Sequence, residues 1–111
     1  MARPYPSITQ DETPTALFDG ATAQIQCLFV YNASETAGAW IKLYNSAAAP
    51  TSASIPAWQH WVAPGASGSG GNSVVLPPFV SGGQWWLAAA ANADADLTAP
   101  DEALVVSITY E

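Results

Sequence analysis

A single histidine and a single cysteine limit the catalytic chemistry open to this 111-residue chain. His60 is the only imidazole, so any serine–histidine or cysteine–histidine pair would have to use it. It lies in Trp58-Gln-His-Trp61, where we interpret it as a surface or interface residue packed on Trp58. Cys27 lies between apolar neighbours in a predicted strand, which favours a small buried hydrophobe over a nucleophile. We therefore expect no catalytic residue, and a hydrolase that uses His60 with carboxylates is the least favoured alternative.

Metal and phosphate sites are also poorly supported. Zinc needs several His or Cys ligands, and one histidine does not supply them. Asp94, Asp96 and Asp101 could offer oxygens to calcium, but the glycine and terminal glutamate of a helix–loop–helix site are missing, so we interpret a solvated turn. The glycine-rich stretch 65–72 lacks the Gly-Lys-Ser/Thr ending of a phosphate loop and is predicted to be a flexible loop. We expect no cofactor and no metal.

Charge excludes further classes. The chain has two basic and nine acidic residues, a formal net charge of −7, and only 10% charged residues. Nucleic-acid binding and attraction to an anionic membrane surface both need clustered cations, so we expect neither partner. There is no run of 18 apolar residues and no apolar signal segment at the N-terminus, which predicts a cytosolic chain without a membrane span. A surface this poor in charge is suited to contact with other proteins.

The elements that would position these residues have a period of two. Apolar residues alternate with polar ones in short runs separated by Gly, Pro, Ser and Asn clusters, which predicts strands. We predict strands over 23–31, 39–45, 55–62, 73–80, 84–90 and 103–110. The segment 92–100 is predicted to be a loop, with one helical turn inside it as the alternative. In the last strand, Leu104, Val106 and Ile108 should face the core, and Val105, Ser107 and Thr109 should face outward. The predicted fold class is all-β, a single-domain β-sandwich or jelly roll.

The N-terminal segment has a different composition. Residues 1–16 contain three prolines and no sustained period, so we predict an extended N-terminal arm, with at most a short strand at Ser7–Gln10. The sandwich domain would then span residues 17–111. The arm is expected to be mobile in the isolated chain and to become ordered against a neighbouring subunit.

Aromatic residues are the most informative surface signal. Five tryptophans exceed what one small core usually holds, and the adjacent pair Trp85-Trp86 must point to opposite faces of a strand. Exposed tryptophan indicates a contact with protein or sugar. We favour a protein interface, and a homotrimer, over a carbohydrate site, because polar groups beside the rings are scarce. The interface candidates are Tyr5, Trp58, His60, Trp61, Trp85 and Trp86.

A family resemblance rests on short motifs. The stretch 38–51, Gly-Ala-Trp-Ile-Lys-Leu-Tyr-Asn-Ser-Ala-Ala-Ala-Pro-Thr, resembles a pattern in small structural proteins of tailed bacteriophages. A strand with proline-rich bends, the Gly-led strand at Gly82-Gly-Gln-Trp-Trp-Leu-Ala, an Ala/Asp/Thr loop and a closing strand ending in Tyr follow in the same order, over residues 36–111. The cluster from Trp58 to Trp61 departs from the pattern.

The resemblance implies a non-enzymatic virion protein. It would decorate the capsid surface as a cement protein and bridge subunits of the major capsid protein after assembly in the host cytoplasm. Two alternatives stay open. One is another head or tail accessory subunit, and the other is a carbohydrate-binding or host-recognition module of a tail or fibre. The sugar-binding alternative predicts a coplanar pair of tryptophans on one exposed face with loop acids nearby.

Overall fold

Eight strands form two four-stranded sheets in the computed structural model, which describes residues 3–18, 24–65, 72–75 and 84–110. The strands are β1 (Arg3–Gln10), β2 (Thr15–Ala16), β3 (Ile25–Asn32), β4 (Ala39–Asn45), β5 (Trp58–Val62), β6 (Asn72–Val75), β7 (Trp85–Ala90) and β8 (Leu104–Tyr110). The first sheet has the order β1-β8-β3-β6 and the second β2-β7-β4-β5, and every pairing is antiparallel. The predicted all-β sandwich is confirmed.

The core lies between the two sheets and is built mainly from alternate residues of β3, β4, β7 and β8. In β4 the buried set includes Ile41 and Leu43, and in β7 it includes Leu87 and Ala89. Leu104, Val106 and Ile108 of β8 are buried while Ser107 is exposed, so the predicted orientation of the last strand is confirmed. This burial pattern follows from the two-residue repeat of an extended chain.

β3 does not keep one alternation along its length. A register irregularity lies between Ile25 and Cys27 where β3 pairs with β8, and after it Leu28 and Val30 face the core. An extra residue in a strand reverses which side chains point inward. Cys27 is therefore half-buried on the outer face and Phe29 is 52% exposed, so the prediction of a buried Cys27 was wrong.

The N-terminal segment is part of the first sheet. β1 pairs with β8 from Arg3–Tyr110 to Gln10–Leu104, with one irregularity between Tyr5 and Ile8. The short strand predicted at Ser7–Gln10 is present but starts earlier, and the expectation of an arm held by a neighbour is replaced by an edge strand held by this chain. Its prolines are compatible with this place because an edge strand has one side that needs no ladder donors.

Other segments agree with the sequence in outline. β5 is shorter than predicted, and residues 55–57 lead into it. β6 covers the start of the predicted 73–80 strand, and residues 76–80 lie outside the described residues, as does most of the glycine-rich loop. Residues 91–103 connect β7 to β8 without helix or strand. No helix in the described ranges is long and apolar enough to cross a membrane.

Candidate functional site

β5 is an edge strand of the second sheet and carries aromatic residues on both faces. It pairs with β4 on one side only within the described residues. Trp58 and His60 stand opposite Leu43 and Ile41, so they share the inner face of the sheet. Gln59 and Trp61 stand opposite Lys42 and Trp40 on the outer face. We call Trp58–Val62, together with Ile55 just before it, the aromatic edge.

The rings of Trp58 and His60 stack on each other. Their ring centroids are 5.9 Å apart and the ring planes differ by only 4°. Trp58 is half-buried and packs against the core, while His60 is exposed. The histidine is thus held by stacking on its neighbour two residues away, as the sequence predicted.

Trp61 presents an accessible indole on the other face. It is 49% exposed, and its ring lies against Gly38, where an added Cβ would come within 2.5 Å of the indole. A larger residue at position 38 would therefore force the indole of Trp61 to move. Ile55 is 71% exposed and adds apolar surface at the start of the edge. The aromatic edge contains no charged residue.

The remaining aromatic candidates contribute less surface. Trp85 is 3% exposed and belongs to the core, so it offers no interface in this chain. Trp86 faces outward, is half-buried, and donates its indole N–H to the Ser46 carbonyl at 3.0 Å. Tyr5 packs edge-on against Phe18 and Tyr110, with ring centroids 5.3 and 6.2 Å away. The structure thus brings Trp58, His60 and Trp61 together and places Tyr5, Trp85 and Trp86 elsewhere.

A buried lysine organises the outer face of the second sheet. Lys42 is fully buried in the middle of β4, and its ammonium donates to the carbonyls of Asp94 and Asp96 at 2.8 and 2.5 Å. Burial lowers the pKa of Lys42, and the nearby Asp96 and Asp94 carboxylates oppose that shift. The β7–β8 connection is thereby fastened across the sheet.

Gln59 of the aromatic edge holds the same connection. Its side-chain amide donates to the Asp94 carboxylate at 2.9 Å, and its amide oxygen accepts the Asp94 backbone N–H at 2.8 Å. Asp94 has φ of 62°, a left-handed conformation that Asp tolerates better than most residues. A hydrogen bond from the Thr98 backbone N–H to Asp96 lowers the pKa of the Asp96 carboxyl. β5 is thus supported from its outer face.

Acidic residues are gathered at one end of the sandwich. The connections β1–β2, β3–β4 and β7–β8 all leave the sheets at the end where Gln10, Asn32 and Ala90 lie. Seven of the nine acids lie in those connections, and the other two, Asp19 and Glu111, lie outside the described residues. The seven are Asp11, Glu12, Glu35, Asp94, Asp96, Asp101 and Glu102. The β4–β5 connection at the opposite end, residues 46–57, has no charge.

The structure does not assemble the other chemical candidates. Cys27 is on the first sheet and His60 on the second, so these two residues do not form a cysteine–histidine pair. Asp101 accepts a hydrogen bond from the Ser34 hydroxyl and does not join Asp94 and Asp96. The carbonyls of those two residues accept hydrogen bonds from the Lys42 ammonium. In the part of the chain that the structure describes, no group of three His, Cys, Asp or Glu side chains could hold a metal ion.

The sequence Asn32-Ala-Ser34 has the form of an N-glycosylation acceptor, and in this fold it has a structural role. Asn32 is fully buried and donates its side-chain amide to the carbonyls of Ala37 and Val62, at 3.0 and 3.3 Å. Its side-chain oxygen accepts the Ser34 backbone N–H at 3.0 Å. The residue therefore holds the β3–β4 turn against β5 and is not accessible for glycosylation in the folded chain.

No family model, no characterised protein and no solved structure matches this chain.

Sequence reasoning missed the role of Lys42. The signal is a lysine in the middle of an otherwise apolar strand, Ala39-Trp-Ile-Lys-Leu-Tyr44, in a chain with only two basic residues. A charged residue at such a position needs acceptors from another segment. The acidic connection 91–103 is rich in acceptors, but which of its carbonyls would turn toward the sheet depends on loop geometry that the sequence does not show.

Proposed function

We propose that this protein is a non-enzymatic assembly subunit that binds other protein chains through its aromatic edge. The observation that carries the proposal is the half-exposed Trp61 beside the exposed His60 on an uncharged edge strand. Tryptophan is enriched among the residues that dominate protein interfaces, and unpaired backbone at a sheet edge adds hydrogen-bonding capacity. A sheet edge of this kind makes a monomeric protein prone to aggregation when no other chain covers the edge.

The assembly that we propose is a tailed-bacteriophage virion, with the protein decorating the capsid and bridging subunits of the major capsid protein. Support comes from the resemblance over residues 36–111. The motif Gly38–Thr51 forms β4 and the start of the uncharged connection that precedes the aromatic edge. The low charge of the chain is also suited to a protein that covers much of its surface with neighbours.

Quantitative mass spectrometry of purified virions tests this proposal. Particles of the phage that encodes the chain should contain it in hundreds of copies, comparable to the major capsid protein. A handful of copies would favour a tail or portal accessory subunit. Absence from purified particles, with the major capsid protein detected in the same sample, would contradict the virion proposal.

A sugar-binding role is the second candidate, and one observation favours it. Trp58 and His60 have nearly parallel, stacked rings on the inner face of β5, where the exposed imidazole supplies a polar group beside the indole. Stacked rings beside polar groups are the usual elements of a carbohydrate site. A glycan array probed with the wild-type chain, with Trp58→Ala and with Trp61→Ala tests it. A hit that Trp58→Ala removes and Trp61→Ala keeps would support this role, and no hit above background would exclude it.

A further inference from the structure

The described sheet edges differ in how well they are protected from pairing with another chain. β1 contains Pro4 and Pro6 and an irregularity between Tyr5 and Ile8, all of which hinder a continuous ladder. β2 has two residues and β6 has four. β5 has five residues, no proline, no charge and no register irregularity. It is the edge best suited to accept a further strand.

β5 is also suited to pairing with its own copy. In an antiparallel pair centred on His60, each His60 faces the other copy's His60, and Trp58 faces the other copy's Val62. These residues share the inner face of the sheet, so inner faces stay continuous across the junction. On the outer face, Gln59 would stand opposite the other copy's Trp61. Aromatic and β-branched residues are favourable cross-strand neighbours.

The distribution of acids selects a second copy in the antiparallel orientation. β5 runs from the end that holds the uncharged β4–β5 connection, at Trp58, to the acidic end, at Val62. Antiparallel pairing therefore places the acidic end of each chain beside the uncharged β4–β5 connection of the other. Parallel pairing would put both acidic ends side by side, where like charges repel. The two acids nearest the edge, Asp94 and Asp96, are partly compensated by the Lys42 ammonium.

We propose that two copies of this protein associate by antiparallel pairing of their β5 strands about His60, which joins the second sheets into one eight-stranded sheet. This pairing rests on the proposed function, and it names a second copy of the chain as the partner of the aromatic edge. A two-fold contact closes at two copies, so the assembly unit is a dimer, in place of the trimer expected from the tryptophan content.

Disulfide trapping in the full chain tests the pairing at its centre. Cys27→Ser removes the native thiol, and His60→Cys then places two thiols opposite each other. Directly opposed residues have Cβ atoms about 4.5–5.5 Å apart, a spacing from which a disulfide needs only a small adjustment. Mild oxidation should give a covalent dimer. The matched control is Cys27→Ser with Ser107→Cys, an exposed position on the first sheet, which should form no covalent dimer under the same oxidation.

Sedimentation equilibrium supplies a readout that needs no cysteine. Wild-type chain should show a reversible monomer–dimer equilibrium, and His60→Lys should raise the dissociation constant about tenfold or more by opposing two charges. Thr51→Lys, on the exposed uncharged connection, adds the same charge away from the two-fold axis and should leave the dimer intact. Tryptophan fluorescence and thermal melts confirm that each variant is folded.

Three results would overturn the pairing. The first is a wild-type chain that stays monomeric at about 100 μM, a concentration at which a dimer with a micromolar dissociation constant would be well populated. The second is a dimer that His60→Lys does not weaken, and the third is a thiol introduced by His60→Cys that couples no faster than the control. The virion test is independent of these. A chain found in virions but not trapped at position 60 would contradict the pairing alone, and a trapped dimer absent from virions would contradict the virion proposal alone.

Discussion

Lys42 shows how one residue fixes an element that has no regular structure. Its ammonium donates to the backbone carbonyls of Asp94 and Asp96 in the β7–β8 connection. The carboxylates of the same two residues favour the charged form of the lysine. A buried cation is stable only when it is paired and hydrogen-bonded in this way. The same connection is bonded to Gln59, so the support reaches the aromatic edge.

Lys42→Met should destabilise the protein. Methionine keeps most of the buried stem but removes both charge-assisted hydrogen bonds, so we expect a loss of about 2–3 kcal/mol in the free energy of unfolding. Urea denaturation measures it, with Asn45→Met at the exposed end of the same strand as the control. Amide exchange in residues 91–98 should also accelerate. A Lys42→Met variant as stable as wild type would show that the two bonds contribute nothing net.

Tyr44 gives a prediction with a pH dependence. Its side chain is 2% exposed, and its hydroxyl has no hydrogen-bond partner among the described residues. Burial raises the pKa of Tyr44 above its ordinary value of 10.0. The stability that comes from the neutral phenol is therefore present below pH 10 and is lost as pH rises further, because the unfolded chain ionises first.

Tyr44→Phe should consequently be tolerated and become advantageous in alkali. Removing an unpartnered buried hydroxyl should leave stability unchanged or raise it by about 1 kcal/mol at pH 7. The advantage over wild type should grow as the pH rises above the ordinary pKa of tyrosine, about 10. Comparing the two proteins by urea denaturation cancels the titration of Lys42, which both contain. If the difference in unfolding free energy between the two proteins stayed constant or narrowed in that alkaline range, the raised pKa of Tyr44 would be contradicted.

Among the strands, β1 is an integral part of the folded domain and not a detachable arm. Tyr5 and Ile8 pack against the core, and Gln10 is 1% exposed at the end of the strand. Deleting residues 1–10 should abolish the cooperative thermal transition, because β8 loses its ladder partner and the core loses these side chains. Deleting residues 1–2 is the control and should have little effect. A transition that survives the longer deletion would restore the detachable arm.

β8 separates the two faces of the first sheet. Val106 is fully buried and Thr109 is half-buried on the opposite face. Val106→Ala should cost about 2 kcal/mol of unfolding free energy, and Thr109→Ala about 0.5 kcal/mol or less. Chemical denaturation of the two variants compares them directly. If Thr109→Ala were the more damaging, the orientation of β8 would be inverted.

Much of the strand architecture could be predicted because side-chain alternation is a local property. β4 was predicted with its bounds, and β7 and β8 within one residue, since each alternates regularly between turn residues. Trp85 and Trp86 point to opposite faces for the same reason. Three features depend on tertiary contacts and could not be predicted. They are the irregularity in β3 that turns Phe29 outward, the pairing of the proline-containing β1, and the cover that residues 91–98 give to Lys42.

The candidate site was predicted in part. Trp58, His60 and Trp61 were singled out by aromatic content, and the structure gathers them on one strand. Residue types alone did not reveal that this strand is a sheet edge, which is decided by strand order. Trp85 was included because the number of tryptophans exceeds an ordinary core, yet the core accommodates it.

In the described residues, the acids lie at one end of the molecule and the uncharged β4–β5 connection lies at the other, with the aromatic edge between them. At a net charge of −7, copies repel one another unless they meet away from their acidic connections. The edge satisfies this condition because β5 carries no charge and spans the sheet between the two ends. Charge distribution and exposed aromatic surface thus indicate the same region for contact.

Hydrogen–deuterium exchange of the wild-type chain, compared between dilute and concentrated solution, locates that contact without any substitution. The amides of Trp58–Val62 that point away from β4 should exchange quickly in the dilute protein and become protected on concentration, while residues 11–14 and 91–103 stay unchanged. Protection that appears in the acidic connections or on the first sheet, with Trp58–Val62 unaltered, would contradict the assignment of the aromatic edge as the contact surface.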